Sequence, residues 1–142
     1  LETYEAIVSG ETAEWRKSAQ GRLAEIIVLD QFARNMFRVD AKAFAADELA
    51  VELAKEAIPY WDEFSIQERS FVVMPFMHSE SLEVHKWASK WFDEPALERR
   101  KKYEAAHREI IERFGRYPHR NHVLGRTSTP EEEAFLKEHP GF

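Results

Sequence analysis

A chain of 142 residues, 44% hydrophobic and 13% aromatic, is long enough to bury a core and too apolar for general disorder. It has no cysteine, which excludes disulfides and thiolate metal sites, and no apolar run near the ~20 residues of a membrane helix. A formal net charge of −6 argues against nonspecific nucleic-acid binding, which calls for a basic surface.

The elements read as helix, turn, helix throughout. Residues 2–9 form a helix stopped by Gly10. A second helix is expected over residues 19–33 and a third over 47–58, halted by Pro59. Ser65 and Glu68 have the spacing of a capping box that opens a fourth helix, ending near Pro75. Ser79 or Ser81 caps a fifth, running through Trp87 and Trp91. Pro95 suits the first turn of the sixth and longest helix, which reaches Phe114 and stops at Gly115. Thr129-Pro-Glu-Glu132 combines a cap, a first-turn proline and a capping-box glutamate, so a seventh helix starts there. The fold class is all-α with about seven helices, and the short linkers predict antiparallel neighbours. One helical domain over 1–142 is expected, in a soluble cytoplasmic protein with no membrane contact.

Polar residues in apolar settings mark the candidate site. Asp30 and Arg34 share a helical stripe with Leu23, Ile26 and Ile27. A carboxylate there needs a partner, so the pair is either an internal ion pair or the wall of a pocket. His78 and Glu80 follow the proline break, at a turn that can aim polar side chains. His107 lies on the apolar face of the sixth helix with Tyr103, Ile110 and Ile111. Glu104 and His107 match one Glu-x-x-His repeat, but a carboxylate-bridged metal bundle needs two such repeats and two more glutamates, so no metal and no cofactor are expected.

The densest cluster is Phe114-Gly-Arg-Tyr-Pro-His-Arg-Asn-His-Val-Leu-Gly-Arg126, which holds three arginines and two histidines and no acid. Arg116, Arg120 and Arg126 present fork-shaped donors suited to carboxylate or phosphate, and His119 and His122 add donors that titrate. The bland alternative is that these arginines pair with Asp30, Glu80 and the run Glu131-Glu132-Glu133.

Asp30-Gln-Phe-Ala-Arg-Asn35, Pro75-Phe-Met-His-Ser-Glu80, Phe114 to Asn121, Leu124-Gly-Arg126 and Ser128-Thr-Pro-Glu-Glu132 resemble, in order, a bacterial family, the domain-of-unknown-function family 924. The resemblance implies a helical fold related to tetratricopeptide repeats and no established activity. It also implies a further N-terminal segment, opening on Phe-Trp-Phe, that this chain lacks. Where members usually carry glutamine, this chain has His85, a titratable group expected near the site.

Three functions fit these residues. The first is a small anionic ligand held by Asp30, Arg34, Asn35, Arg116, His119, Arg120, Asn121 and Arg126. The second is a hydrolase or transferase in which His78 or His107 is the general base, Glu80 orients it, and arginines stabilise negative charge. The third is a scaffold for a peptide or protein partner, on the analogy of tetratricopeptide folds.

Overall fold

The computed structural model describes residues 1–141, and they are all-α, with no strand among them. Helix α1 (Glu2–Ser9) ends at Gly10, whose φ of 86° is the left-handed stop expected there. A 3-10 turn, Ala13–Lys17, leads to α2 (Ala19–Ile27), capped by the Ser18 hydroxyl accepting from Gly21 N. This helix does not stop near residue 33. It passes through a π-helical turn, Val28–Phe32, into α3 (Ala33–Met36). Next comes α4 (Asp47–Ala57), and Pro59 falls in the 3-10 turn Ile58–Glu63 that follows it.

The capping box at Ser65 and Glu68 is present and opens α5 (Ile66–Val72). Pro75 does not end that helix: it sits in the first turn of α6 (Met74–His78), where a missing N–H costs nothing. Ser81, not Ser79, caps α7 (Leu82–Ala88), and Trp91 belongs to a separate 3-10 turn, Ser89–Phe92. Pro95 opens a short 3-10 turn ahead of α8 (Glu98–Phe114), which Gly115 terminates at φ 72°. Thr129 and Glu132 form the second capping box, opening α9 (Pro130–Glu138). With α2 and α3 taken as one bent rod, and α5 and α6 as another, seven helical bodies remain among the described residues. None of these helices is long and apolar enough to cross a membrane.

Two apolar clusters hold the rods together. In the larger, Ala50, Ala54 and Ala57 of α4 recur at helical spacing and let it approach Leu23 and Ile26 of α2 closely. Phe76, Met77, Phe92 and Leu97 close the same core from the other side. The smaller cluster packs Ile110, Ile111 and Tyr117 against Phe114 and Phe135, fastening α9 to α8. It adjoins the polar loop that follows Gly115, to which Tyr117 belongs.

The start of α2 is pinned by backbone contact. A Cβ on Gly21 would lie 1.9 Å from the Trp15 carbonyl oxygen and 2.7 Å from its carbon. The turn beneath it also holds buried Glu25, through Thr12 Oγ1 and Arg16 Nε, each at 3.0 Å. In most helices Gly→Ala gains up to about 1 kcal/mol. Here the sign reverses, and Gly21→Ala is expected to lose roughly 2 kcal/mol, as overpacked sites do. A urea midpoint equal to or above that of the parent would show that the Trp15 turn yields freely.

Candidate functional site

The π turn aims Asp30 inward. Its carboxylate is 1% exposed, and three groups meet it. His78 Nδ1, at the end of α6, lies 2.7 Å from Oδ1, Gln31 Nε2 donates to Oδ2 at 2.6 Å, and Arg34 Nη1 is 3.4 Å from Oδ1. An ionised carboxylate only accepts, so Nδ1 of His78 carries the proton. Burial alone would raise the Asp30 pKa, but His78, Arg34 and Gln31 outweigh it and hold the carboxyl below its ordinary range. No described residue hydrogen-bonds the other ring nitrogen of His78, and this side chain lines a cleft.

Arg34 does more than face Asp30. Its fork grips Asp47 at 2.9 Å through both Nη atoms, and Nη1 also donates to the Asp30 carbonyl. Arg120 reaches the same Asp47 at 3.4 Å and donates to the His78 carbonyl at 2.7 Å. Asp47 therefore ties the two arginines together. The sequence offered no cue for this role, because an aspartate in the first turn of a helix already has a sufficient reason to be there.

A second network runs away from the cleft. Glu80 accepts from both Nη atoms of Arg126, at 2.9 and 3.0 Å, and from the Tyr117 backbone N–H at 2.6 Å. Arg126 Nε donates to Asn121 Oδ1, and Asn121 Nδ2 donates in turn to Glu132. Arg116 grips Glu132 with Nε and Nη2 at 3.0 and 2.8 Å. Arg116, together with the Thr129 cap and Asn121, brings the Glu132 carboxyl down to about 2. Burial tends to raise Glu80, but Arg126, the Tyr117 N–H and Arg120 leave it lowered.

Several expected ligand residues are thereby reassigned. Arg116, Asn121 and Arg126 are committed to the protein's own carboxylates and do not line the cleft. Asn35 is exposed on α3 and also stays outside, because it follows Arg34 by one residue and so lies about 100° around the helix. Glu80 is not the partner of a histidine; Asp30 is. Of the loop, Arg120 and His119 reach the cleft, whereas His122 is exposed elsewhere.

His85 is also off the cleft. It is fully buried, with Nδ1 2.6 Å from Glu104 Oε1 and Nε2 2.7 Å from the Ser79 carbonyl. Tyr117 OH, donating to the Met77 carbonyl, sits beside it at 3.2 Å. Glu104 thus serves His85, and its Glu-x-x-His spacing to His107 leads to no shared site. Among the described residues no three His, Asp or Glu side chains gather as metal donors.

The cleft itself has a volume of about 1270 Å³. Its floor is formed by buried Met77, Leu97, His107 and Arg120, with His78 and Arg34 half-buried beside them. His107 donates from Nδ1 to the Tyr103 carbonyl at 2.7 Å. Burial first, with Arg120 beside it, outweighs the bond to the Tyr103 carbonyl and depresses its pKa to about 4. The rim carries Arg38, Arg99 and Arg100, none within ion-pair reach of a described carboxylate; Arg99 lies over the Tyr103 ring. In all, five arginines and three histidines line the cleft against one acid, Asp40. That aspartate is occupied as a cap, accepting from Lys42 N at 2.8 Å. The rim arginines had one sequence cue, the run Arg99-Arg100-Lys101-Lys102 at the start of α8, where positive charge opposes the helix dipole.

A search of curated proteins found no match. A solved structure of a protein of unknown function from Agrobacterium tumefaciens is similar over 97% of this chain and 79% of its own, at 36% identity and a TM-score of 0.87. A family model described as bacterial protein of unknown function (DUF924) matches residues 1–140. The motifs that converge on Asp30, His78 and Glu80 are thus carried by a chain that belongs to the DUF924 family.

Proposed function

We propose that the cleft binds a small anionic molecule. The observation that carries this reading is charge imbalance: five arginines face one carboxylate in a protein of net charge −6. Arg34 and Arg120 are partly neutralised by Asp47, so the unspent charge lies with Arg38, Arg99 and Arg100 on the rim. Fork-shaped guanidinium groups suit carboxylate and phosphate oxygens. Calorimetric titration with inorganic phosphate and a set of phosphorylated and carboxylated metabolites tests the idea. Arg100→Gln should weaken binding about tenfold or more, the worth of a hydrogen bond to a charged group, while Lys102→Gln, outside the cleft, should not. Absence of binding, or an Arg100→Gln variant that binds like the parent, would overturn the reading.

The Asp30–His78 pair favours a second reading, hydrolysis or group transfer at the same cleft. Asp30 fixes the imidazole so that its other nitrogen can take a proton from water or a hydroxyl, the arrangement of an oriented general base. Product formation in the same titrations, lost in His78→Gln while binding persists, separates an enzyme from a binder. A tetratricopeptide-like peptide scaffold has less support. Trp61 is buried against Trp91, Trp87 leans on Phe76, and none of the three lines the cleft.

A further inference from the structure

We infer that the anion this cleft takes is amphipathic: a phosphate or carboxylate head carried on an apolar body. The inference rests on the anion reading above and adds the class of molecule. Size is the first argument. A cleft of about 1270 Å³ exceeds the ~300–1,000 Å³ that usually houses a drug-sized ligand, and a bare inorganic anion would leave most of it to water. The lining between the arginines is the second. Met77 and Leu97 form the floor, Phe44 a wall, and Ile66 and Tyr103 stand on the rim at 42% and 43% exposure.

Val39 is the third argument. It is 92% exposed on the rim, and its φ of 56° is a left-handed conformation that a β-branched residue adopts only under strain. Neither the strain nor the bare methyl groups help the isolated protein. Both make sense if a ligand covers the side chain. Arg38 precedes it directly, so one rim segment offers a guanidinium for the head and methyl groups for the body.

The test is a chain-length series. Binding of alkyl phosphates and alkyl carboxylates with two to ten carbons is measured by calorimetry below their micelle-forming concentrations, with inorganic phosphate and octanol as comparators. Affinity should rise about three- to fourfold per added methylene until the cleft is filled, the factor that corresponds to burying one CH₂. Octanol should bind far more weakly than octyl phosphate. Val39→Gly, which removes the methyl groups and relaxes the backbone, should weaken octyl phosphate by about threefold. If inorganic phosphate binds but affinity is flat with chain length, this inference falls and the anion reading stands. If octanol matches octyl phosphate, charge is irrelevant and both fall. The phosphate and carboxylate arms tell which head group the arginines prefer.

Discussion

Asp30→Ala should lower the thermal midpoint by roughly 10 °C, more than any surface substitution in the chain. Removing one partner from a buried ion pair costs about 3–5 kcal/mol, because the other charge stays buried and unpaired. One feature of this site places the loss near the lower bound: Arg34 keeps both bonds to Asp47. What remains lost is the link between the π turn and the end of α6, together with the Gln31 bond to the same carboxylate. Asp30→Asn, which keeps the shape and one acceptor, should fall between. Glu131→Ala, an exposed first-turn residue of α9, should stay within about 0.5 kcal/mol of the parent. Circular-dichroism melts of the three variants make the comparison. An Asp30→Ala midpoint within error of the parent would show that the carboxylate fastens nothing.

Local chemistry was readable and tertiary choice was not. The capping boxes at Ser65/Glu68 and Thr129/Glu132 and the stop at Gly115 depend on residues within one turn, so their spelling was enough. The π turn had no such spelling: Val28-Leu29-Asp30-Gln31-Phe32 contains neither proline nor glycine, and its widened hydrogen bonding goes with the reach of Asp30 for a histidine 48 residues away. The same distance problem governed the arginines. A guanidinium flanked by several carboxylates in sequence can pair with any of them, and only packing decided that Arg116 takes Glu132, Arg126 takes Glu80 and Arg120 shares Asp47. Asp30 and Arg34 were visible as polar residues on an apolar stripe, His78 by its place after the proline break and Arg120 by the density of the arginine loop. The rim was less visible, because Arg38 and Arg99 look like ordinary solvated charges until a cleft lies between them.

Acidification should unfold the protein in two stages, and the sign follows from proton counting. His107 has a folded pKa of about 4 against an ordinary value of 6.5, so between those values the unfolded chain binds more protons. Its contribution is complete above pH 6.5 and drains away as the pH falls to 4. Discounted for screening, it amounts to roughly 2 kcal/mol. Asp30, Glu80 and Glu132 have lowered folded values, the last about 2, so what they add is complete above the ordinary carboxylate range. It is lost as the pH falls through that range toward 2. The two windows adjoin and act in the same direction, so stability should slope gently from pH 6.5 to 4 and then collapse. Urea unfolding at pH 7, 5.5, 4 and 3 measures the curve. His107→Gln, neutral throughout, should hold the upper window flat while leaving the collapse in place; a parent protein equally stable at pH 7 and 4.5 would show that His107 is not held neutral by the fold. The same burial has a consequence for the cleft. Because His107 stays neutral down to about pH 4, it adds no positive charge to the floor at physiological pH. Attraction of an anion there then falls to the arginines, so replacing His107 should change anion affinity far less than replacing Arg100.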